Sequence, residues 1–267
     1  MALTGNFHTH TNLCDGADTP RAMVESALAH GLKRLGFSGH MDADIHMDLE
    51  RYRAEIDALR DLYGGRIEIL CGVELDNLYD PGCARGLDYV IGSTHFMDVE
   101  YERPLSVDNT ADELRLLCNE FYGGDFYRLC RAYFRLEAQI ADRFPCDFIG
   151  HFDLVTKFND ALHFVDEEDP RYLGPALEAM EYLVSRGKPF EINTRQSARG
   201  KLYPGITLLR RLRELGGEIL INSDAHRASE LTAGFDLAAE TARSLGFDHT
   251  NHLTLRSGKT VLVPEAL

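Results

Sequence analysis

Residues 5–10 read Gly5-Asn6-Phe7-His8-Thr9-His10, a short run that opens with small and apolar residues and ends in two histidines. In an extended strand, residues i and i+2 point to the same face, so His8 and His10 can hold one ion together. The same design recurs along the chain. Leu35–His40 ends in His40, Ile67–Glu74 in Glu74, Tyr89–His95 in His95 and Phe148–His151 in His151. Phe190–Asn193 and Glu218–Ser223 complete the set of short apolar runs, and the last leads into Asp224-Ala225-His226. Their lengths and their β-branched or aromatic content suit buried parallel strands.

Longer amphipathic stretches lie between these runs. Thr19-Pro20 reads as a cap followed by proline at the first helical position, and Gly31 can close that helix. Further helices are expected over 49–63, 126–144, 172–186 and 206–215, and in part over 228–245, with Gly234 as a break. Strand–helix alternation through the whole chain predicts an α/β fold with parallel strands and crossover helices. Seven strand candidates point to a TIM-like barrel formed as a single domain over residues 1–267; an open doubly wound sheet is the competing architecture. Residues 98–125 exceed an ordinary loop and are expected to place an extra helix over one end of the barrel. After Gly246, His252–Leu255 and Thr260–Val263 are expected to pair at an edge.

In a parallel barrel the C-terminal strand ends form one rim, where active sites are built. Six of the eleven histidines lie at these ends. With Asp15 reaching back from the first loop, the rim collects His8, His10, Asp15, His40, Glu74, His95, His151, Asp224 and His226. Imidazoles and carboxylates without thiolates suit Zn, Mn or Fe as divalent ions. The set exceeds what one ion needs, and a carboxylate such as Glu74 can bridge two or three.

Composition narrows the function classes. The chain has 267 residues, 44% of them hydrophobic, and a formal net charge of -15. That acidity opposes a nucleic-acid or anionic-membrane binder, which needs a basic face. No apolar run approaches the roughly 18 residues of a membrane span. The first eight residues have neither a basic region nor an apolar core, so no secretory signal is expected. Six scattered cysteines without a CxxC pair fit reduced thiols in a cytoplasmic protein.

The order HxH, Asp, His, Glu, His, His, DxH, each at a strand end, resembles the PHP (polymerase and histidinol phosphatase) superfamily. The length and the long segment after His95 look like its stand-alone histidinol-phosphatase branch. The resemblance implies a distorted (β/α)7 barrel holding three divalent metal ions. By motif, His8, His10, Glu74 and Asp224 would bind the first ion. Glu74, His95 and His151 would bind the second, and Asp15, His40 and His226 the third. Asp15 stands where several members have histidine, which would alter affinity and metal preference at the third ion.

The expected partner is a small-molecule phosphate monoester, with L-histidinol phosphate implied by the branch. The expected chemistry is in-line attack on phosphorus by a hydroxide held between metal ions, with Glu74 as bridge and Asp224 or His226 helping to protonate the leaving group. Covalent routes lack their motifs: Cys14 is followed by Arg only at position 21, and Arg-His-Gly and Walker sequences are missing. Arg195, at the sixth strand end, is the leading phosphate contact, with Lys157 and Arg199 behind it. Asp42 and His46, on the polar loop after His40, are expected substrate contacts, and Asn193 and Asn222 are expected to orient ligands. A phosphoesterase for another small ester or nucleotide, and an amidohydrolase-like metal hydrolase, are the alternatives. Amidohydrolases usually bridge their metals with a modified lysine, where this chain offers Glu74.

Overall fold

The structure, a computed structural model, describes residues 3–267; Met1 and Ala2, which open the expected domain and the start read as signal-free, lie outside the described residues. The chain opens with β1 (Gly5–Asn6) and α1 (Pro20–Ala29), followed by β2 (Arg34–Phe37), β3 (His40–Met41) and α2 (Leu49–Tyr63). The Thr19 hydroxyl accepts the Ala22 N–H and Pro20 occupies the first turn of α1, as its sequence predicts. Next come β4 (Glu68–Asp76), β5 (Tyr89–Ser93), the hairpin β6 (Phe96–Met97) and β7 (Leu105–Ser106), α3 (Ala111–Tyr122) and α4 (Phe126–Arg143). The remainder is β8 (Phe148–Ile149), α5 (Asn159–Leu162), α6 (Pro170–Ser185), β9 (Phe190–Asn193), α7 (Ile206–Glu214), β10 (Ile219–Asn222), α8 (Phe235–Ser244), β11 (His249–Arg256) and β12 (Lys259–Ala266). The expected break at Gly234 is real: its φ of 74° is left-handed, and α8 starts just after it.

Seven parallel strands, β1-β2-β4-β5-β8-β9-β10, lie side by side in one curled sheet, with β3 beside the end of β4. The sheet's two ends meet at the rim. Thr9 and Ala225 form a parallel bridge, the His10 N–H donates to the Ala225 carbonyl at 2.8 Å, and the Phe7 N–H donates to Asn222 Oδ1 at 2.8 Å. Lower down, β11 runs parallel to β10 at Leu220 and Asn251 and pairs antiparallel with β12. The molecule is therefore a (β/α)7 TIM-like barrel, distorted where β11 enters its seam.

The barrel interior is a small apolar plug of Phe7, Leu70, Tyr89, Ile91, Phe148, Leu220 and Leu253. Tyr89 stands at its centre, and its hydroxyl donates to the carbonyls of Phe7 and Phe37 at 2.8 and 3.0 Å. Gly36 and Gly72 make room for it: a Cβ would fall 2.4 and 2.3 Å from Tyr89 atoms. The plug separates the polar residues of the rim from those at the base of the barrel, such as Glu68. The long segment after His95 holds the expected extra helix, α3, packed on α4 and β7. The hairpin and the loop after it, through Phe96, Ser106, Asp108 and Asn109, line the rim cavity, and the helix does not. The C-terminal strands are longer than expected, and β11 reaches the plug through Leu253 rather than lying only at an edge. All six cysteines are free. Among the described residues no helix is long and apolar enough to cross a membrane.

Candidate metal centre

Glu74 is the hub of the rim. It lies on β4, 1% exposed, between His40 on β3 and the end of β5. Its Oε2 is 3.0 Å from His8 Nε2, 3.4 Å from His10 Nε2 and 3.2 Å from His40 Nδ1. Its Oε1 is 2.7 Å from His151 Nε2 and 3.1 Å from His95 Nε2, and it accepts the Ser93 hydroxyl at 2.9 Å. Five imidazoles from four stretches of chain thus face one carboxylate. Asp224 joins them, with Oδ1 3.3 Å from His10 Nε2 and 3.7 Å from His8 Nε2. Its φ of 52° is left-handed, a conformation aspartate tolerates better than most residues and one that concentrates at functional sites.

A second focus forms around Asp15. Its Oδ2 is 3.0 Å from His226 Nε2 and 3.7 Å from His40 Nε2, and its Oδ1 is 3.3 Å from His10 Nδ1. The structure therefore brings all nine predicted residues together. Four groups of them place one ligand atom each within 4.8 Å of the others: His10-Asp15-His40-His226, His8-His151-Asp224, His8-His10-Glu74 and His40-Glu74-His95. His10 and His40 each lie between two foci, so the partition differs in detail from the one the motif implies.

Carboxylates and amides behind the rim orient these rings. Glu191 Oε1 receives His8 Nδ1 at 2.8 Å and the Asn222 amide at 3.1 Å, while Oε2 receives the His151 N–H at 3.0 Å and the Asn193 amide at 2.9 Å. The Asn193 amide also reaches Asp224 Oδ2 at 3.2 Å, whereas Asn222 meets the set only through Glu191. Asp76 Oδ2 accepts the His95 N–H at 2.7 Å. Glu191 and Asp76 were missed by sequence reasoning. The signal for both was alternation: each is a carboxylate inside a buried parallel strand, two residues from a recognised polar position.

Electrostatics matches a cation site. Burial opposes ionisation of Glu74, yet His8, His40, His95 and His151 hold its carboxyl well below the usual range. Asp224 is held low in the same way, against burial, by His8, His10 and His226. Burial also opposes charge on His8, but Glu191, Glu74 and Asp224 raise it well above an ordinary imidazole. Burial together with the charges of His10 and His95 pushes His40 down to about 3, against Glu74. Both ring nitrogens of His10 and the Nδ1 of His40 are buried without a hydrogen-bond partner among the described residues. Buried polar atoms are normally paired, so these orphans, in groups of imidazoles and carboxylates, fit divalent metal ions; the Cys14 thiol lies beside them, against the His40 N–H at 3.1 Å.

The rim opens into a cavity of about 270 Å³. Lys157, Arg195 and Asp42 line it, together with Asp44, Asp108 and Tyr203. Lys157 Nζ donates to Asp108 Oδ2 at 3.0 Å. Arg195 Nη1 donates at 2.7 Å to Glu230, which also accepts the His226 N–H at 3.3 Å. Asp42 is buried and lies 3.4 Å from His40 Nδ1. Its other oxygen is tied to the N–H groups of Asp44 and Ile45. His46 lies outside the cavity, exposed and stacked on Tyr79 at 5.5 Å, because the Asp42 turn directs it outward. Arg199 also lies outside, on a short turn beside a separate surface groove shared with Asp160, Glu167 and Lys201. Asp108 was not legible, since it sits in a loop without periodicity.

Comparison with known proteins agrees with this architecture. Residues 6–195 match the PHP domain family model. A probable histidinol-phosphatase of Deinococcus radiodurans is 31% identical, over 91% of this chain and 95% of that protein. The histidinol-phosphatase of Bacillus subtilis is 27% identical, over 87% and 97%. In fold, the chain resembles histidinol phosphate phosphatase from Lactococcus lactis, solved with zinc, L-histidinol and phosphate. The TM-score is 0.73 at 23% identity, covering 97% of this chain and 98% of that one. The matched family model spans more than half of the sequence and the relatives span nearly all of it, so the chain belongs to the PHP domain family.

Proposed function

We propose that this chain is a metal-dependent phosphoric monoester hydrolase that converts L-histidinol phosphate to L-histidinol and phosphate in histidine synthesis. The carrying observation is the Glu74 carboxylate ringed by five imidazoles at the mouth of a cavity whose wall holds Lys157 and Arg195. The names of the relatives support the substrate.

In this reading one domain over 1–267 holds three divalent ions, Zn, Mn or Fe. His8, His10, Glu74 and Asp224 would hold the first, Glu74, His95 and His151 the second, and Asp15, His40 and His226 the third. Such ions supply water activation near neutral pH and clamp phosphate oxygens. The chain's own residues do the rest. The Arg195 guanidinium is held by Glu230 through one nitrogen, which leaves further N–H groups for the phosphate. Lys157 also lines the cavity, fixed by Asp108. Asp42 faces the organic part of the ester. Asp224 or His226, both on the cavity surface, passes a proton to the leaving alkoxide, directly or through water. A small cavity on an acidic molecule suits a small ester rather than a nucleic acid. Glu74 stands where a bridging lysine would mark an amidohydrolase.

The test is phosphate release from L-histidinol phosphate, sugar phosphates, nucleotides and p-nitrophenyl phosphate by protein loaded with Mn²⁺ or Zn²⁺. The expected preference for L-histidinol phosphate is at least about 10²-fold in kcat/KM, roughly 2.7 kcal/mol. A flat profile would remove the substrate and keep the hydrolase. No release from any ester by metal-loaded protein would remove the hydrolase.

A further inference from the structure

Glu230 belongs to none of the metal-binding groups and does not line the rim cavity, yet it holds two residues that do line it. It closes the short turn Ala228–Glu230, just after His226. One of its oxygens, Oε2, accepts both the Arg195 Nη1 at 2.7 Å and the His226 N–H at 3.3 Å. Among the described residues it is the only partner of the Arg195 guanidinium. The segment that carries Glu230 is itself fixed on both sides. The His226 carbonyl accepts the Ala17 N–H at 2.8 Å, and Asp18 Oδ2 accepts the Ala228 N–H at 2.7 Å. The Ser26 hydroxyl on α1 donates to the Ala228 carbonyl at 2.6 Å. Past the turn, the Asn6 amide on β1 donates to the carbonyl of the buried Leu231 at 2.9 Å.

Arg195 has a fixed backbone and a long side chain. Its N–H donates to Asn193 Oδ1 at 2.9 Å, but nothing except Glu230 restrains the guanidinium. An arginine side chain has many rotamers to lose, and its planar fork binds phosphate best when it is already aimed. The pair is only part buried, at 37% and 34% exposure, and such ion pairs add little to stability. A carboxylate close to an anion site also repels the anion. The position of Glu230 therefore makes sense as orientation rather than as support for the fold.

We propose that Glu230 is a positioning residue: through Oε2 it aims the Arg195 guanidinium at the cavity and anchors the backbone of His226, so that one carboxylate sets a phosphate contact and a metal ligand together. The inference rests on Arg195 as the phosphate contact and His226 as a ligand, as read above. With Oε2 taken up by Nη1, the remaining N–H groups of Arg195 are left for phosphate oxygens. Because a single oxygen accepts both donors, a glutamine carbonyl at the same place can accept them too.

The experiment uses full-length protein with inorganic phosphate as the probe, so it does not depend on which ester is the substrate. Glu230→Ala, Glu230→Gln, Arg195→Ala and the double variant Glu230→Ala/Arg195→Ala are compared with wild type. The readouts are calorimetry of phosphate binding in saturating Mn²⁺, Mn²⁺ retained after dialysis, and thermal unfolding. Arg195→Ala is expected to weaken phosphate binding by about 10- to 100-fold and to keep its metal. Glu230→Ala is expected to weaken phosphate by about 10-fold and to lose part of its metal. The double variant should bind phosphate no worse than Arg195→Ala, because Glu230 acts through that side chain. Glu230→Gln should recover most of both losses. The unfolding temperature should move by no more than about 2–4 °C in any variant. Wild-type phosphate binding or full metal retention in Glu230→Ala would overturn the inference, as would a Glu230 effect that persists undiminished without Arg195. A much larger fall in unfolding temperature for Glu230→Ala alone would make the residue a structural support and overturn it as well. Wild-type phosphate binding in Arg195→Ala would remove Arg195 as the phosphate contact, and the inference with it. A wild type that binds phosphate but prefers another ester would count against the proposed substrate alone.

Discussion

At the scale of single residues, the site is a balance of opposite charges that a metal ion would reset. In the metal-free protein, His8 and His95 are raised by their carboxylate neighbours against burial. Their stabilising contribution is complete below an unfolded imidazole value of about 6.5 and is lost as pH rises through the higher folded value. Glu74 and Asp224 are depressed, so theirs is complete above an unfolded value of about 4 and lost as pH falls through the lower folded one. His40, pushed down to about 3, stays neutral between these limits. The melting temperature of stripped protein should therefore be highest in mildly acidic buffer and decline toward alkaline pH. Loading with Zn²⁺ or Mn²⁺ should invert the alkaline arm, because ligation needs neutral imidazole and tightens as protons leave. Calorimetry of stripped and loaded protein from about pH 5 to 9 checks this, and a stripped protein that grows steadily more stable above about pH 6.5 contradicts it. Eight of the nine rim residues were legible because they end an apolar run or follow directly on it, where a polar residue interrupts a clear pattern; Asp15 was read from its place in the loop after His10. Glu191 was hidden for the opposite reason: it sits inside the run Phe190–Asn193, which reads as pure core, and only the folded neighbours show what its carboxylate meets. Asp76 lies just past the run that ends at Glu74, and its place as the last residue of β4 shows only in the fold.

At the scale of elements, strand and helix limits follow from local chemistry, and loops do not. α2 runs over Leu49–Tyr63 as its sequence predicts, because Asp48 caps it and Gly64 closes it. α6 begins at Pro170, two residues before its expected start, because Asp169 caps it through the Arg171 N–H. The loop after β7 has no such signature, yet it supplies Asp108, which holds Lys157 across the cavity. Burial opposes ionisation of Asp108, and Lys157 and His95 nevertheless keep its carboxyl low, so the pair is ionic. This placement gives Lys157 two separable roles, contact with the ester and attachment of the loop. Lys157→Ala should lower kcat/KM for the preferred phosphate ester by about 10- to 100-fold, the 1.5–3 kcal/mol typical of a hydrogen bond to a charged group. The paired variant Lys157→Ala/Asp108→Ala removes the unpaired buried acid but not the lost contact. If the ester contact matters, the double variant regains thermal stability and not rate. Recovery of rate in the double variant would assign Lys157 to loop attachment alone.

At the scale of the whole molecule, the match to the family model ends at residue 195, but the site does not. Asp224 and His226 complete the rim, and the Thr9–Ala225 bridge that closes the barrel lies between them. β10 is thus as much a part of the centre as β1. What β11 adds was not legible from sequence, since His249–Arg256 alternates like any edge strand and its destination is a long-range fact. In the fold it inserts beside β10. Thr254 and the Leu255 N–H bind the Glu68 carboxylate at the base of β4, across the barrel. Leu253 is fully buried in the plug that supports Phe7 and Tyr89, immediately below His8. This hairpin therefore stabilises the barrel as an internal wedge rather than as trim. Leu253→Ala should destabilise the protein by about 2–5 kcal/mol, the range for a large-to-small change in a packed core. Leu262→Ala on the neighbouring strand β12, where the side chain is 38% exposed, should stay within about 0.5 kcal/mol. Urea unfolding of the two variants separates the cases. Equal, small effects would show that the plug does not depend on β11. The expected inequality should carry to the rim: a cavity under Phe7 loosens β1, so Leu253→Ala should also weaken metal retention, although the substituted residue is not itself one of the nine.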